Sequence, residues 1–381
     1  MKLLFILFIP GLLLYSSCIE PYNPDINDYL DLLVVDASIT NDQGPYTVKL
    51  SRTSDINKPE VINEPDAVVI ISDDNGNSET LKQKSAGVYQ TSESGIQGII
   101  GRKYKLYIKT KDNQEYETAY TELSSPLEID SLYGIFDIQQ TGESFLNHEG
   151  YQFYIKTHTI SDKTSYLFWE PIETYEYQAE FPIEEYYDVR KREFKPYPNP
   201  YEFFTCYQTL AIKDILYLKI NGVNNNITHP LFFASADANK KLSIKYSLQV
   251  NQYNVNEENY NYRKNLKNIL SQGNTLYNIQ PFQISGNIKN ITNTKEPVLG
   301  YFTVAGVTHK RIFVLPIQTS NYYDWCIPNS RRYGNIIAYG SKSTEYATRD
   351  QNGVMGTIGG SCIDCRLKGG TQQRPEYWNE K

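Results

Sequence analysis

Hydrophobic and polar positions alternate with a period of two over much of the chain. Tyr46, Val48 and Leu50 are interleaved with Thr47, Lys49 and Ser51, the mark of a half-buried strand. Ala67-Val68-Val69-Ile70-Ile71 is a more continuous apolar run, as in a central strand, and it stops at the turn-forming Asp73-Asp74-Asn75-Gly76. Gly87-Val88-Tyr89, then Tyr104, Leu106 and Ile108, then Tyr116 to Tyr120 continue the series. Strands spaced by roughly 8–12 residues with polar turns predict a β-sandwich over 32–125. Ser124-Ser125-Pro126 is the expected boundary. A larger β-rich domain is expected over 126–381, with strand patterns at Ile129 to Asp137, Tyr151 to Thr157, Phe282 to Ile284, Val298 to Val304 and Arg311 to Leu315. One docked helix is predicted near 257–272. Tyr262, Leu266, Ile269 and Leu270 share a face there, Asn256 is the candidate N-cap, Glu257 and Glu258 fill the first turn, and Gly273 is a natural stop.

Between 166 and 207 the pattern changes. Aromatic residues crowd this segment, among them Trp169, Tyr175, Tyr177, Tyr186, Tyr187, Tyr197 and Tyr201, interleaved with acids. Pro171, Pro182, Pro196, Pro198 and Pro200 argue against long regular elements. The expectation is a long surface loop in which part of the tyrosines and tryptophan face a ligand or a partner protein; the alternative is that many of these rings pack in the sandwich core. The composition agrees with a folded body: 33 Tyr, 15 Phe and 3 Trp in 381 residues are too many aromatics for a disordered chain.

The front end carries an address. Leu3 to Leu14 is an apolar run behind Lys2, shorter than the about 20 residues a membrane span needs, so it reads as a signal-peptide core. Tyr15-Ser16-Ser17-Cys18 follows and resembles a bacterial lipobox, with Tyr15 where leucine is usual. Residues 1–18 are therefore expected to be a lipoprotein signal peptide, with Cys18 lipidated; an ordinary secretory signal is the alternative. Residues 19–31, with Glu20, Asp25, Asp28 and two prolines, are expected to be an acidic tether. Removing 1–18 takes away Lys2 and no acid, leaving 36 basic against 44 acidic residues, so the charge moves from −7 to −8. Without a basic run this excludes nucleic acid as a partner.

Four cysteines remain: Cys206, Cys326, Cys362 and Cys365. In an oxidising compartment they are expected to form two disulfides, with Cys362–Cys365 and Cys206–Cys326 the preferred pairing. A four-thiolate zinc site is the sharper alternative, since Cys362-Ile363-Asp364-Cys365 has zinc-ligand spacing, and a redox-active pair is the third.

The stretch Ala67 to Ile70, Asp74-Asn75-Gly76 and Gly87-Val88-Tyr89 resembles the immunoglobulin-like or transthyretin-like modules of exported bacterial proteins, which serve mostly as spacers or docking units. Further along, Pro281-Phe282-Gln283-Ile284-Ser285-Gly286-Asn287-Ile288, Glu296-Pro297-Val298-Leu299-Gly300-Tyr301-Phe302, Lys310-Arg311-Ile312-Phe313 and Cys362-Ile363-Asp364-Cys365-Arg366 resemble a Bacteroidota outer-membrane lipoprotein family, the domain of unknown function 4249. The resemblance implies a lipid anchor in the outer membrane, facing the cell exterior, and a binding or accessory role beside a TonB-dependent, SusC-like barrel. The alternative is a cell-surface assembly or adhesion lipoprotein with no small-molecule ligand.

Motifs for chemistry are missing from the sequence. It contains no Gly-x-Ser-x-Gly elbow, no Walker-type loop and no His-Glu-x-x-His. His148, His158, His229 and His309 show no ligand spacing. No catalytic residue, cofactor or metal is expected, although acids are plentiful enough that a carboxylate pair in a cleft would change the reading.

Overall fold

The computed structural model describes residues 30–55, 58–140, 147–159, 163–222, 226–236, 240–272, 284, 286–318 and 326–379. The signal peptide, Cys18 and nearly all of the 19–31 tether lie outside the described residues, as do Phe282 and Gln283.

The chain is mainly β, and among the described residues one ten-stranded sheet links its N-terminal and C-terminal parts. In spatial order its path is Thr205–Ala211, Ser165–Gln178, Lys245–Val255, Leu299–Val314, Leu33–Thr40, Thr47–Arg52, Val88–Gln90 and Lys82–Ser85. Leu216–Ile220 lies beside Ser165–Gln178, and Ile62–Asn63 adds to Thr47–Arg52. Leu299–Val314 fuses the two separate strands expected at 298–304 and 311–315. Its first half pairs in parallel with Leu33–Thr40, Ala37 opposite Phe302, and its second half pairs antiparallel with Lys245–Val255. The sheet is thus continuous across Ser124-Ser125-Pro126.

Two smaller sheets cover one face of this long sheet, side by side. The first has six strands, including Val68–Asp73, Lys103–Lys109, Glu115–Thr118 and Ile288–Asn290. Its Val69, Ile71, Leu106 and Ile108 meet Val35, Ile39, Val48, Leu50, Phe302 and Val304. The alternation read from the sequence is what lays these side chains on one face, and each fully buried one contributes about 1.5–3 kcal/mol. The second has three strands, Ile129–Gln140, Asn147–Thr157 and Ile227–Ser235. Its Phe153 and Ile155 cover Leu167, Trp169, Leu248 and Val250.

On the opposite face of the long sheet lies helix α1 (Glu257–Gln272). Asn256 caps it as expected, its Oδ1 accepting from the Asn259 amide at 2.9 Å. Asn259 donates to Thr303 Oγ1 at 3.1 Å, and Tyr262 packs on Tyr301 with ring centroids 4.9 Å apart. Leu270, expected on the packed face, is 65% exposed. Tyr262 carries the contact as expected, joined by Asn259 and by Arg263, whose guanidinium lies 3.3 Å over the Phe168 ring.

A second helix, α2 (Ser330–Tyr339), had no counterpart in the sequence reading. It packs on a small sheet made of Glu185–Asp188, Glu193–Pro196, Tyr346–Arg349 and Met355–Ile358. Together they form a C-terminal lobe.

The prolines near 171 do not break the chain into a loop. Ser165–Gln178 is a 14-residue strand of the long sheet. Pro171 sits where its neighbour on one side changes: Trp169 faces Leu216 of one strand and Ile172 faces Ala211 of another. The Pro171 carbonyl accepts from the Ile212 amide at 2.9 Å. The missing N–H of Pro171 therefore falls at a gap in the ladder, where a strand tolerates proline.

Candidate functional site

The expected aromatic surface is split by strand alternation. Leu167, Trp169, Tyr175 and Tyr177 share the face covered by the three-stranded sheet and belong to its core. Trp169 donates to Gln252 Oε1 at 2.8 Å and stacks on His229. Tyr175 donates to Gln208 Oε1 at 2.6 Å, and Tyr177 donates to the Cys365 carbonyl at 2.7 Å. Tyr187 is buried in the lobe, edge-on to Phe194. A partner-facing role for Trp169, Tyr175, Tyr177 and Tyr187 is corrected on this ground: their rings are used up in packing.

Tyr186, Tyr197 and Tyr201 stand elsewhere. Glu185–Asp188 and Glu193–Pro196 form a hairpin in the lobe, paired to Tyr346–Arg349. Tyr186 meets Tyr197 edge-to-face at 6.1 Å, and Tyr197 meets Tyr346 at 6.0 Å. Tyr201 is 64% exposed and leans on Phe204, while Arg366 lies 3.7 Å over the Phe203 ring. Around this cluster run Glu184–Arg349 at 3.0 Å, Tyr333 to Glu185 at 2.7 Å and Tyr197 to Glu202 at 2.9 Å. Burial, with Glu202 adding, pushes the Tyr197 hydroxyl up to about 12, and burial with Glu185 does the same for Tyr333. Both remain protonated donors. With the Tyr197 and Tyr333 hydroxyls committed to Glu202 and Glu185, what the cluster offers is ring surface edged by ion pairs, which suits contact with a protein or a sugar.

One of two disulfides holds the lobe to the long sheet, and the pairing is other than the preferred one. Cys206 bonds Cys365, and Cys326 bonds Cys362, with Cα–Cα distances of 5.7 and 5.6 Å. Cys362 and Cys365 end and begin two successive 3-10 turns, Gly360–Cys362 and Cys365–Lys368. Cys365 is buried toward Thr205–Ala211, whereas half-buried Cys362 turns toward the segment ahead of α2. The two thiols therefore diverge rather than bridge each other. With all four thiols bonded, the zinc alternative falls as well.

A relay that no local pattern signals crosses the long sheet beside α1. Tyr253 donates to Glu170 Oε2 at 2.8 Å; Asn251 Oδ1 meets His309 Nδ1 at 2.8 Å; His309 Nε2 meets Asp42 Oδ2 at 2.7 Å. Asp42 and His309 are 267 positions apart. Both ring nitrogens of His309 are engaged by protein groups. Burial and then Glu170 raise the Tyr253 hydroxyl well above the usual phenol range. The relay fastens strands together; it has no activated nucleophile.

The acid pair most open to a catalytic reading lines a cleft of about 510 Å³ at one end of the first sandwich, beside Ser92, Gln97 and Arg102. Asp73 accepts from the Asn75 and Asn77 amides, Asn77 Nδ2 and Arg102 Nη1. Burial opposes its charge, but these bonds hold it down at about 2. Glu79 accepts from the Ser92 amide and hydroxyl and from the Ile96 amide, and is also held below its usual range although burial is the largest opposing influence. Neither carboxyl keeps a proton to donate, and their oxygens are spent on the fold. Among the described residues, no group of three or more His, Cys, Asp or Glu is placed to hold a metal ion.

These features define a mainly β protein whose continuous sheet carries two sandwich layers, one helix and a disulfide-clasped lobe. The profile of the family described as domain of unknown function (DUF4249) matches residues 19–311, and the chain belongs to that family. No curated protein matches the chain.

Proposed function

We propose that the chain is a lipid-anchored, non-catalytic binding or accessory subunit of a TonB-dependent, SusC-like uptake complex in the outer membrane of the Bacteroidota, exposed at the cell surface. The observation that supports this is the separation of the two ends of the body. Val34, near the start of the first strand, pairs with Leu299, whereas the lobe joins the sheet around Tyr177, Cys206 and Phe313, at the Val314 end. The 16-residue strand Leu299–Val314 spans roughly 50 Å between them. The tether from a lipid on Cys18 would enter the body at the Leu33 end, the end opposite Tyr186, Tyr197 and Tyr201. The disulfides agree with an exported location, where oxidising conditions preserve them.

Detergent extraction from the native host followed by pull-down and mass spectrometry tests this. A TonB-dependent barrel should co-purify with the wild-type chain, and Cys18→Ala should release the protein from membranes. Retention of the Cys18→Ala chain in the membrane fraction would defeat the anchor; wild-type membranes yielding no barrel would defeat the accessory role.

A further inference from the structure

Edge strands expose unpaired N–H and C=O groups, and proteins shield them by shortness, lysine, proline or a covering segment. Nearly every edge here is shielded in that way. Thr205–Ala211 is covered by the C-terminal tail, Tyr207 and Thr371 exchanging amide hydrogen bonds of 2.7 and 2.9 Å. Leu216–Ile220 carries Lys219, and Lys82–Ser85 carries Lys82 and Lys84. Ser78–Thr80 and Ile288–Asn290 have three residues each. Glu193–Pro196 holds Lys195 and Pro196, Met355–Ile358 is covered by Asn329, and Ile227–Ser235 contains Pro230.

Ile129–Gln140 is different. It is 12 residues long, contains no Lys, Arg or Pro, and among the described residues pairs on one side only, with Asn147–Thr157. Lys310 Nζ occupies the carbonyls of Ile129 and Asp130, at 3.0 and 2.8 Å, and Asp137 Oδ1 accepts from the Ile138 amide at 2.9 Å; among the described residues no strand pairs with the rest of this edge. Ile135, Phe136 and Ile138 are each about half exposed, at 52%, 49% and 50%. Alternation puts Ile135 on one face of the sheet and Phe136 with Ile138 on the other, so apolar surface flanks the open backbone on both sides.

We infer that this edge pairs antiparallel with the same edge of a second copy of the chain, about a two-fold axis at Ile135. The register follows from the side chains. Centred there, Ile135 faces its own mate, Leu132 faces Ile138, Gly134 faces Phe136, Tyr133 faces Asp137 and Ser131 faces Gln139. Apolar meets apolar, and the Tyr133 hydroxyl meets a carboxylate. Centring on Asp137 opposes two like charges, and centring on Phe136 sets Asp137 against Ile135 and Gln140 against Leu132. A two-fold axis makes the interface self-complementary and closed, so pairing stops at the dimer.

Cysteine placement on the full chain tests the register. Residues facing each other across an antiparallel pair have Cβ atoms about 4.5–5.5 Å apart, so Ile135→Cys should form a disulfide-linked dimer under non-reducing electrophoresis. Gln139→Cys lies on the same sheet face, but its mate is about 27 Å away, and it should give none. Ile135→Lys should move the sedimenting species from dimer to monomer with an unchanged circular dichroism spectrum. A wild-type chain that sediments as a monomer, equal cross-linking at 135 and 139, or cross-linking of Ile135→Cys to a different protein would each overturn the proposal.

Discussion

Tyr177 donates its hydroxyl to the carbonyl of Cys365 at 2.7 Å, beside the disulfide that joins Cys365 to Cys206. Two neighbouring strands of the long sheet, Thr205–Ala211 through the disulfide and Ser165–Gln178 through the buried hydrogen bond, are thus tied to the C-terminal lobe at one point. The bridge closes a separation of 159 residues, whereas Cys326–Cys362 closes only 36.

The pairing predicts a specific peptide map. Non-reducing digestion should yield one peptide pair linking Cys206 with Cys365 and another linking Cys326 with Cys362. Replacing Cys206 and Cys365 together by Ala should destabilise the protein by about 2–5 kcal/mol, the usual cost of losing a native bridge. A Cys362–Cys365 peptide, or equal thermal melting with and without reductant, would contradict it.

The hydrogen bond is testable apart from the bridge. Tyr177→Phe keeps the ring and orphans the Cys365 carbonyl, which should cost about 1–3 kcal/mol in denaturant unfolding with the slope unchanged. A loss well below that range would mean that another donor takes over the carbonyl.

The aromatic segment should divide sharply under mutation. Trp169→Ala removes a fully buried ring and its bond to Gln252, and should cost about 3–5 kcal/mol. Tyr201→Ala, at an exposed position, should stay within about 0.5 kcal/mol of wild type, while weakening whatever complex the lobe forms. Chemical denaturation of the two variants measures the contrast; similar losses would mean that the segment is not partitioned between core and surface as described.

That division marks how far local pattern reaches. Period-two alternation at 46–50 and 104–108 located strands because one face of each is buried on a neighbouring layer, and Asn256 marked the start of α1 because N-capping is a local interaction. Trp169, Tyr175 and Tyr177 were misjudged because Pro171 and the later prolines counted as breakers. The gap between the strands holding Leu216 and Ala211, which accommodates Pro171, depends on tertiary pairing. The lobe joins Tyr186 to Tyr346, and the relay joins Asp42 to His309. Such contacts between distant segments leave no periodicity to read. The spacing of Cys362 and Cys365 suggested a local bridge, but spacing does not say where the Cβ vectors point, and here they diverge.

The last prediction concerns acid stability. Asp73 is almost wholly buried at the end of the strand Val68–Asp73, and against burial its carboxyl is held at about 2 by Asn77, Arg102 and two backbone amides, with a reference of 3.8. A depressed folded-state value means that the folded protein releases this proton more readily than the unfolded chain. The stabilisation is therefore fully present above the unfolded value near 4 and disappears as pH falls toward 2. It amounts to about 1–2 kcal/mol. Asp73→Asn should lower stability at pH 7 and flatten the pH dependence between about 4 and 2, because the amide cannot titrate and cannot accept from both amides, Asn77 and Arg102 together. Urea unfolding of both proteins across that range decides it: parallel pH profiles for wild type and Asp73→Asn would show that the acid-labile stability resides in other carboxylates.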